Sequence, residues 1–241
     1  LAVMAACAGV GIIIGVVSLT SFGTVMTSSI VTLGAGSLFL TLILTMLASM
    51  VLGMGLPSIP AYIITATMAA PALAGFDIPI LAAHMFVFYF GIFANITPPV
   101  CLAAFAGAGI SGGDPMKTGF LSLKLALAGF IVPFMFIYNP TMLMIDPTGL
   151  AVTAKEFPLP PIIDIITVVV TSVTGVIALS SALEGYFRGS MNPLVRAMLA
   201  IGALLLIYPE ITTGIAGGVI VLGIALFNIK TSKPPTPTVT V

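Results

Sequence analysis

Charge is what this sequence has least of. Lys, Arg, Asp and Glu together make up 6% of its 241 residues, against roughly 25% in soluble domains. Seven basic residues balance seven acidic ones, so there is no basic face for nucleic acid. Histidine occurs once, at His84. No Cys, Asp or Glu clusters near it, which excludes the three or four ligands of a zinc site. Ser58 is the hydroxyl that would pair with His84 in a hydrolase dyad, but no nucleophile-elbow pattern surrounds it and no acid is placed to orient the imidazole. His84 reads instead as a helix-start residue bonding to backbone. The two cysteines, Cys7 and Cys101, lie far apart in apolar segments and read as small buried hydrophobes. Nothing here points to an enzyme or to an organic cofactor.

What the chain has is apolar length. Hydrophobic residues are 59% of it and the mean hydropathy is +1.28. Several runs approach the ~20 residues that a membrane-spanning helix needs, and none shows the strict alternation of a barrel strand. The fold class is all-α and polytopic, with the lipid bilayer as solvent. The chain opens on Leu1 without a basic start or a small-residue cleavage site, so it reads as the C-terminal part of a longer protein.

In chain order, Leu1 to Thr20 is an apolar run whose Gly11-xxx-Gly15 spacing would let a neighbouring helix approach closely. Ser21 to Thr32, rich in Ser, Thr and Gly, reads as a loop or an interfacial stretch. Leu33 to Leu52 is apolar, LGMGLPSIP breaks it, and Ala61 to Ala74 continues until Gly75, Phe76 and Asp77 end it. The second arm is too short to cross at 1.5 Å per residue, so residues 33–75 read as a re-entrant hairpin. Ile80 to Asn95 and Cys101 to Ile110 flank a second break, NITPPV, making residues 80–110 one discontinuous helix of the kind secondary transporters place at binding sites. SGGDP is a turn with Asp114 as N-cap and Pro115 at the first helical position. A span over 117–145 bends at Pro133 and Asn139-Pro140, 148–161 is a linker, 162–228 holds three more apolar runs, and 229–241 is a Pro/Thr-rich disordered tail.

The two breaks carry the chemistry. Backbone N–H and C=O groups left unpaired in hydrocarbon cost several kcal/mol each, so they must face protein, water or an ion. A hairpin tip at Gly53, Gly55, Pro57 and Ser58 exposes the N-terminus of its second arm, which suits an anionic group. Ser58, Asn95 and Thr97, with unwound carbonyls, supply oxygens suited to a hard cation such as Na⁺. The plain alternative is a pair of kinks between packed helices; their pairing about 40 residues apart favours a transport site. Elsewhere, Lys124 snorkels, Asp164 and Glu210 sit near span ends, and Tyr89 and Tyr138 pack or anchor at an interface.

Counting sides from Ser21 to Thr32 places Lys117, Arg188, Arg196, Lys230 and Lys233 on one side and only Lys155 on the other. By the positive-inside rule the richer side, with the C-terminus, is cytoplasmic, and the hairpin enters from outside.

The segments GMGLPSIPAYIITATMAAPAL, AAHMFVFYFGIFANITPPVCLAAFAGAGISGGDPMKTGF and GFIVPFMFIYNP, in this order, resemble the C-terminal half of the large membrane subunit of tripartite ATP-independent periplasmic (TRAP) transporters, in particular the fused permeases that work with TAXI-type binding proteins. The resemblance covers about residues 1–147; residues 162–227 are similar to the extra membrane segment of those fused permeases. It implies an elevator-type, ion-transporter-superfamily repeat and Na⁺-driven import of a small organic anion, such as a carboxylate, across a bacterial or archaeal inner membrane. It also implies three partners: a periplasmic TAXI-type binding protein, the small-subunit region, and the N-terminal remainder of the permease, without which the piece would not transport. Gly53 to Ser58 would be the outer hairpin tip, and Asn95, Thr97, Pro98 and Pro99 the unwound helix facing it, with Na⁺ near Gly55, Ser58, Asn95 and Thr97. The related Ser-Asn-Thr tip is Gly-Leu-Pro-Ser here, which shifts the expected ligands toward backbone carbonyls. The alternatives are a non-TRAP carrier of the same superfamily and a structural or assembly membrane segment.

Overall fold

The computed structural model describes residues 2–145, 159–187, 189, 191–208 and 210–231. Every regular element among them is helical. The chain forms two compact units, Leu1–Ala126 and Leu127–Val241.

In the first unit, α1 (Ala2–Leu19), α2 (Phe22–Gly34), α3 (Leu38–Gly53) and α4 (Ser58–Met68) precede a 3₁₀ segment, Ala70–Phe76. They are followed by α5 (Ile80–Phe93), a 3₁₀ turn at Ala94–Ile96, α6 (Leu102–Ser111) and α7 (Pro115–Ala126). Element ends follow local chemistry. Ser37 caps α3 by accepting from the Leu40 N–H at 3.5 Å, and α3 stops at Gly53 because Gly55 takes φ +75° and Pro57 has no N–H to extend the ladder. Asp77, at φ +53°, and Pro79 separate the 3₁₀ segment from α5. Asp114 Oδ1 accepts from the Lys117 N–H at 2.8 Å, so the expected N-cap forms, with Pro115 as the first residue of α7.

Two expectations fail here. Ser21 to Thr32 is not a loop: α2 occupies it from Phe22, and the hydroxyls of Ser28 and Ser29 fold back onto the Val25 carbonyl instead of competing with the helix. Thr27 also donates to the Met68 carbonyl at 3.1 Å, tying α2 to the end of α4. The real break falls later, at Ala35 and Gly36, both with positive φ. The Gly11-xxx-Gly15 spacing makes no close helix contact either. A methyl group at Gly9, Gly11 or Gly15 would touch no described residue, and α1 meets its neighbours through Ile14 and Val17, which pack with Ile64 and Met68.

The core of this unit lies where α5 packs against α3 and α4. Phe86, Val87 and Phe90 of α5 are fully buried, as are Leu42 of α3 and Leu73 of the 3₁₀ segment. The closest approach is backbone on backbone. A Cβ on Gly53 would lie 2.7 Å from the Gly91 Cα and 2.8 Å from its carbonyl carbon, so only glycine fits at 53. Gly91 is more forgiving, since its nearest neighbour is the Thr65 Cγ2 at 3.3 Å.

The second unit contains a 3₁₀ segment at Leu127–Ile131, α8 (Val132–Tyr138), a 3₁₀ turn at Pro140–Leu143, α9 (Ile162–Glu184), α10 (Pro193–Ile207) and α11 (Ile211–Thr231). The helix α9, at 23 residues, is long and apolar enough to span a membrane, as is the helical stretch Pro115–Tyr138. The chain turns after α9 on Gly185 at φ +73°. The Arg196 guanidinium then donates to the Ala182 carbonyl at 2.9 Å and the Leu183 carbonyl at 2.8 Å, satisfying the open end of α9. Gly217 lets α11 reach α10, its absent Cβ lying 2.6 Å from the Gly202 carbonyl oxygen. Ala178, Leu179, Leu199, Ala203 and Val221 form the buried centre. Most of the expected linker, and the tail beyond Thr231, lie outside the described residues; α11 itself continues to Thr231.

Gly53→Ala is expected to destabilise the protein by about 1–3 kcal/mol or prevent its accumulation, and Gly91→Ala to cost clearly less. Thermal unfolding of the two purified variants in the same detergent checks the ranking.

Candidate functional site

Proline dictates the second break. Thr97 precedes Pro98-Pro99, and the residue before a proline is pushed out of helical geometry; Thr97 accordingly adopts φ −105°, ψ 124°. The Pro98-Pro99 peptide bond is cis. The chain re-enters a helix at Leu102, after Cys101 at φ +22°. The first break, Met54 to Pro57, joins α3 to α4.

The two breaks meet. Asn95 Nδ2 donates to the Leu56 carbonyl at 3.3 Å, and Val100 lies 3.6 Å from the position of a Cβ on Gly55. Between them opens a cavity of about 700 Å³, lined by Gly55, Leu56, Pro57 and Ser58 from the tip, and by Ile92, Phe93, Asn95, Ile96, Leu102 and Ala103 from the broken helix. Four helix ends converge there. The N-termini of α4 and α6 contribute Ser58, Leu102 and Ala103 to the wall. Their first-turn N–H groups lack intrahelical partners and carry the positive end of the dipole. Pro60 removes one N–H from the first turn of α4, leaving those of Ser58 and Ile59. The C-terminal ends of α3 and α5 bring carbonyls of the opposite polarity to the same region.

Of the eight residues expected from sequence, Gly55, Pro57, Ser58 and Asn95 line this cavity. Gly53 does not; it is the contact with Gly91. Thr97 is buried off the wall, and its hydroxyl donates to the Phe93 carbonyl at 2.8 Å. Pro98 packs toward α7, 3.6 Å from the Cβ position of Gly119, and Pro99 also lies outside the wall. Cys101 is fully buried, with Gly119 against its sulfur.

His84 departs from expectation. Its Nδ1 is 3.1 Å from the Tyr62 hydroxyl, not on backbone, and Phe88 meets the Tyr62 ring edge-on with centroids 5.4 Å apart. This polar pair ties α4 to α5. Tyr89 stacks on Phe93 at 4.4 Å, bracing the helix just before it unwinds.

Two residues that sequence reasoning passed over stand out. Thr45 and Ser49 of α3 are fully buried, and neither hydroxyl has a hydrogen-bond partner among the described residues. Each orphaned group costs about 1–3 kcal/mol. Thr41, Thr45, Ser49 and Gly53 recur every fourth residue, so they form one stripe leading to the tip. That i, i+4 repeat was the available signal. Gly91 was also passed over; one glycine in an apolar helix has no distinctive pattern.

Asn95→Ala removes the hydrogen bond between the breaks without touching the core. It is expected to raise the labelling rate of a Ser58→Cys variant by a water-soluble maleimide several-fold, read by mass shift.

A search among curated proteins found no match, and neither did a search among solved structures. A family model does match, over residues 1–148: Tripartite ATP-independent periplasmic transporter, DctM component. The matched stretch contains both breaks and the cavity between them, and the chain belongs to the DctM family of TRAP transporter membrane components.

Proposed function

We propose that the cavity between Gly55–Ser58 and Asn95–Ala103 is this chain's share of the substrate and ion site of a Na⁺-coupled importer of small organic anions. Membership of the family makes the chain a component of a TRAP-type secondary transporter, which works with a substrate-binding protein and a small component. The observation that carries the finer reading is the convergence of α4 and α6 N-termini on one cavity. Paired positive dipole ends suit a carboxylate, in a space of a size usual for small-molecule ligands.

The cation reading rests on the oxygens. The Ser58 hydroxyl and the Asn95 amide oxygen belong to residues on the wall. The Thr97 hydroxyl, buried behind that wall, donates to the Phe93 carbonyl and braces the break from which those oxygens project. The unpartnered oxygens of Thr45 and Ser49 extend the polar stripe down α3. Backbone carbonyls at the tip supply the remainder, as expected for a hard cation.

In this reading residues 33–75 form a re-entrant hairpin entering from the periplasmic face of the inner membrane. The 16 residues of α3 rise only about 24 Å, short of the ~30 Å hydrocarbon core. The C-terminus is cytoplasmic by the positive-inside rule. The hairpin and broken helix move together as an elevator, and the binding protein is of the TAXI type.

The full-length permease, reconstituted with its binding protein and small component, should take up a radiolabelled organic anion only with an inward Na⁺ gradient. Uptake indifferent to both Na⁺ and the binding protein overturns the proposal. Within that assay Ser58→Ala and Asn95→Ala are expected to raise the Na⁺ concentration for half-maximal uptake by about tenfold, the loss of one ligand at about 1.4 kcal/mol. Cys101→Ala, off the cavity wall, is expected to leave it unchanged.

A further inference from the structure

The second unit has a cavity of its own, of about 580 Å³. Its wall joins Tyr138, Asn139 and Thr141 after α8 to Asp164 and Ser172 of α9, and to Tyr208 and Glu210 between α10 and α11. The floor includes the apolar Met135, Val168, Leu206, Ile207 and Ile215. No residue from the tip or the broken helix contributes, so the cavity is independent of the transport site proposed above.

Among the described residues its charge is one-sided. Asp164 lies in the first turn of α9. Glu210 caps α11, its carbonyl accepting from the Gly214 N–H at 2.9 Å. Negative charge is favoured at both helix starts. Among the described residues no Lys or Arg lines the cavity, and neither carboxylate has an ion-pair partner there. Two carboxylates facing one semi-enclosed space attract a cation.

The hydroxyls narrow the ligand further. Thr167 and Thr171 spend theirs on the carbonyls one turn back, at 2.7 and 2.9 Å. Thr141 and Ser172 differ: they are 6% and 4% exposed, both line the cavity, and neither side chain has a hydrogen-bond partner among the described residues. Each hydroxyl thus keeps its hydrogen-bonding capacity for an occupant of the cavity that both residues line. Among the described residues no three of His, Cys, Asp and Glu gather into a metal site, and the aromatic and aliphatic walls suit a hydrocarbon body better than a hydrated ion.

We infer that this cavity binds a primary ammonium group carried on an apolar body. The carboxylates of Asp164 and Glu210 balance its charge, the hydroxyl oxygens of Thr141 and Ser172 accept its N–H bonds, and Tyr138 and Tyr208 flank its hydrocarbon. The same chemistry is offered by the head group of an aminophospholipid and by a free arylalkylamine.

The test uses the full-length protein purified in detergent. In one arm phosphatidylethanolamine or phosphatidylglycerol is added and retention is read by native mass spectrometry. In the other, phenethylamine or its neutral analogue 2-phenylethanol is titrated and heat is recorded. Retention of phosphatidylethanolamine alone assigns the site to a lipid; saturable binding of phenethylamine alone assigns it to a free amine, and either supports the inference. Asp164→Asn with Glu210→Gln is expected to weaken the bound probe at least tenfold, and Ser172→Ala several-fold, at an unchanged unfolding temperature. The Asn and Gln replacements keep the shape and the helix starts, so loss of binding with an unchanged unfolding temperature reports charge. Failure of both amines to bind, equal binding of the neutral analogue, or undiminished binding by the double variant overturns it.

Discussion

The contact on which the first unit depends is the crossing of α3 and α5 at Gly53 and Gly91. With no side chain between them, the two backbones touch, and this sets the height at which α3 ends relative to α5. The tip that follows Gly53 is thereby brought level with the unwinding of α5, and Asn95 can reach the Leu56 carbonyl. Any side chain at position 53 would push α3 away, and the tip would no longer face the break. The buried Phe86 and Phe90 hold α5 from the other faces, and the Tyr62–His84 pair holds α4 to the same helix. The cavity is thus a consequence of packing several residues away from it.

Convergence of helix ends then does what charged side chains do in soluble proteins. Among the described residues no Asp, Glu, Lys or Arg lines the cavity between the breaks. Its polarity comes from first-turn N–H groups, from unwound carbonyls and from the neutral oxygens of Ser58 and Asn95. This suits a site surrounded by hydrocarbon, where a fixed charge without a ligand would be costly and a dipole costs little. The second unit follows the opposite plan, placing Asp164 and Glu210 on the wall of a cavity near helix starts.

Much of the organisation was legible in order. Proline and glycine marked both breaks because their backbone constraints act locally, and Asp114-Pro115 marked the start of α7 for the same reason. The long apolar runs marked α1, α9 and α11. The reading of Ser21 to Thr32 failed because Ser and Thr are loop formers only where water competes for their hydroxyls; inside a membrane they close onto their own helix. The Gly11-xxx-Gly15 spacing meets no close neighbour among the described residues, since the motif permits a close approach without requiring one.

By itself, then, the sequence determined the solvent, the helical class, the two breaks and the kinds of atoms they expose, since each follows from composition or from a residue's own backbone preferences. Tertiary structure decided which of those atoms share a space. It placed Ser58 and Asn95 on one wall, turned Gly53 into a packing contact, set Thr97 behind that wall, and left Thr45 and Ser49 without partners. None of this is encoded in spacing along the chain. It depends on how closely α3 and α5 approach, and that distance is set at once by every side chain between them, or by its absence.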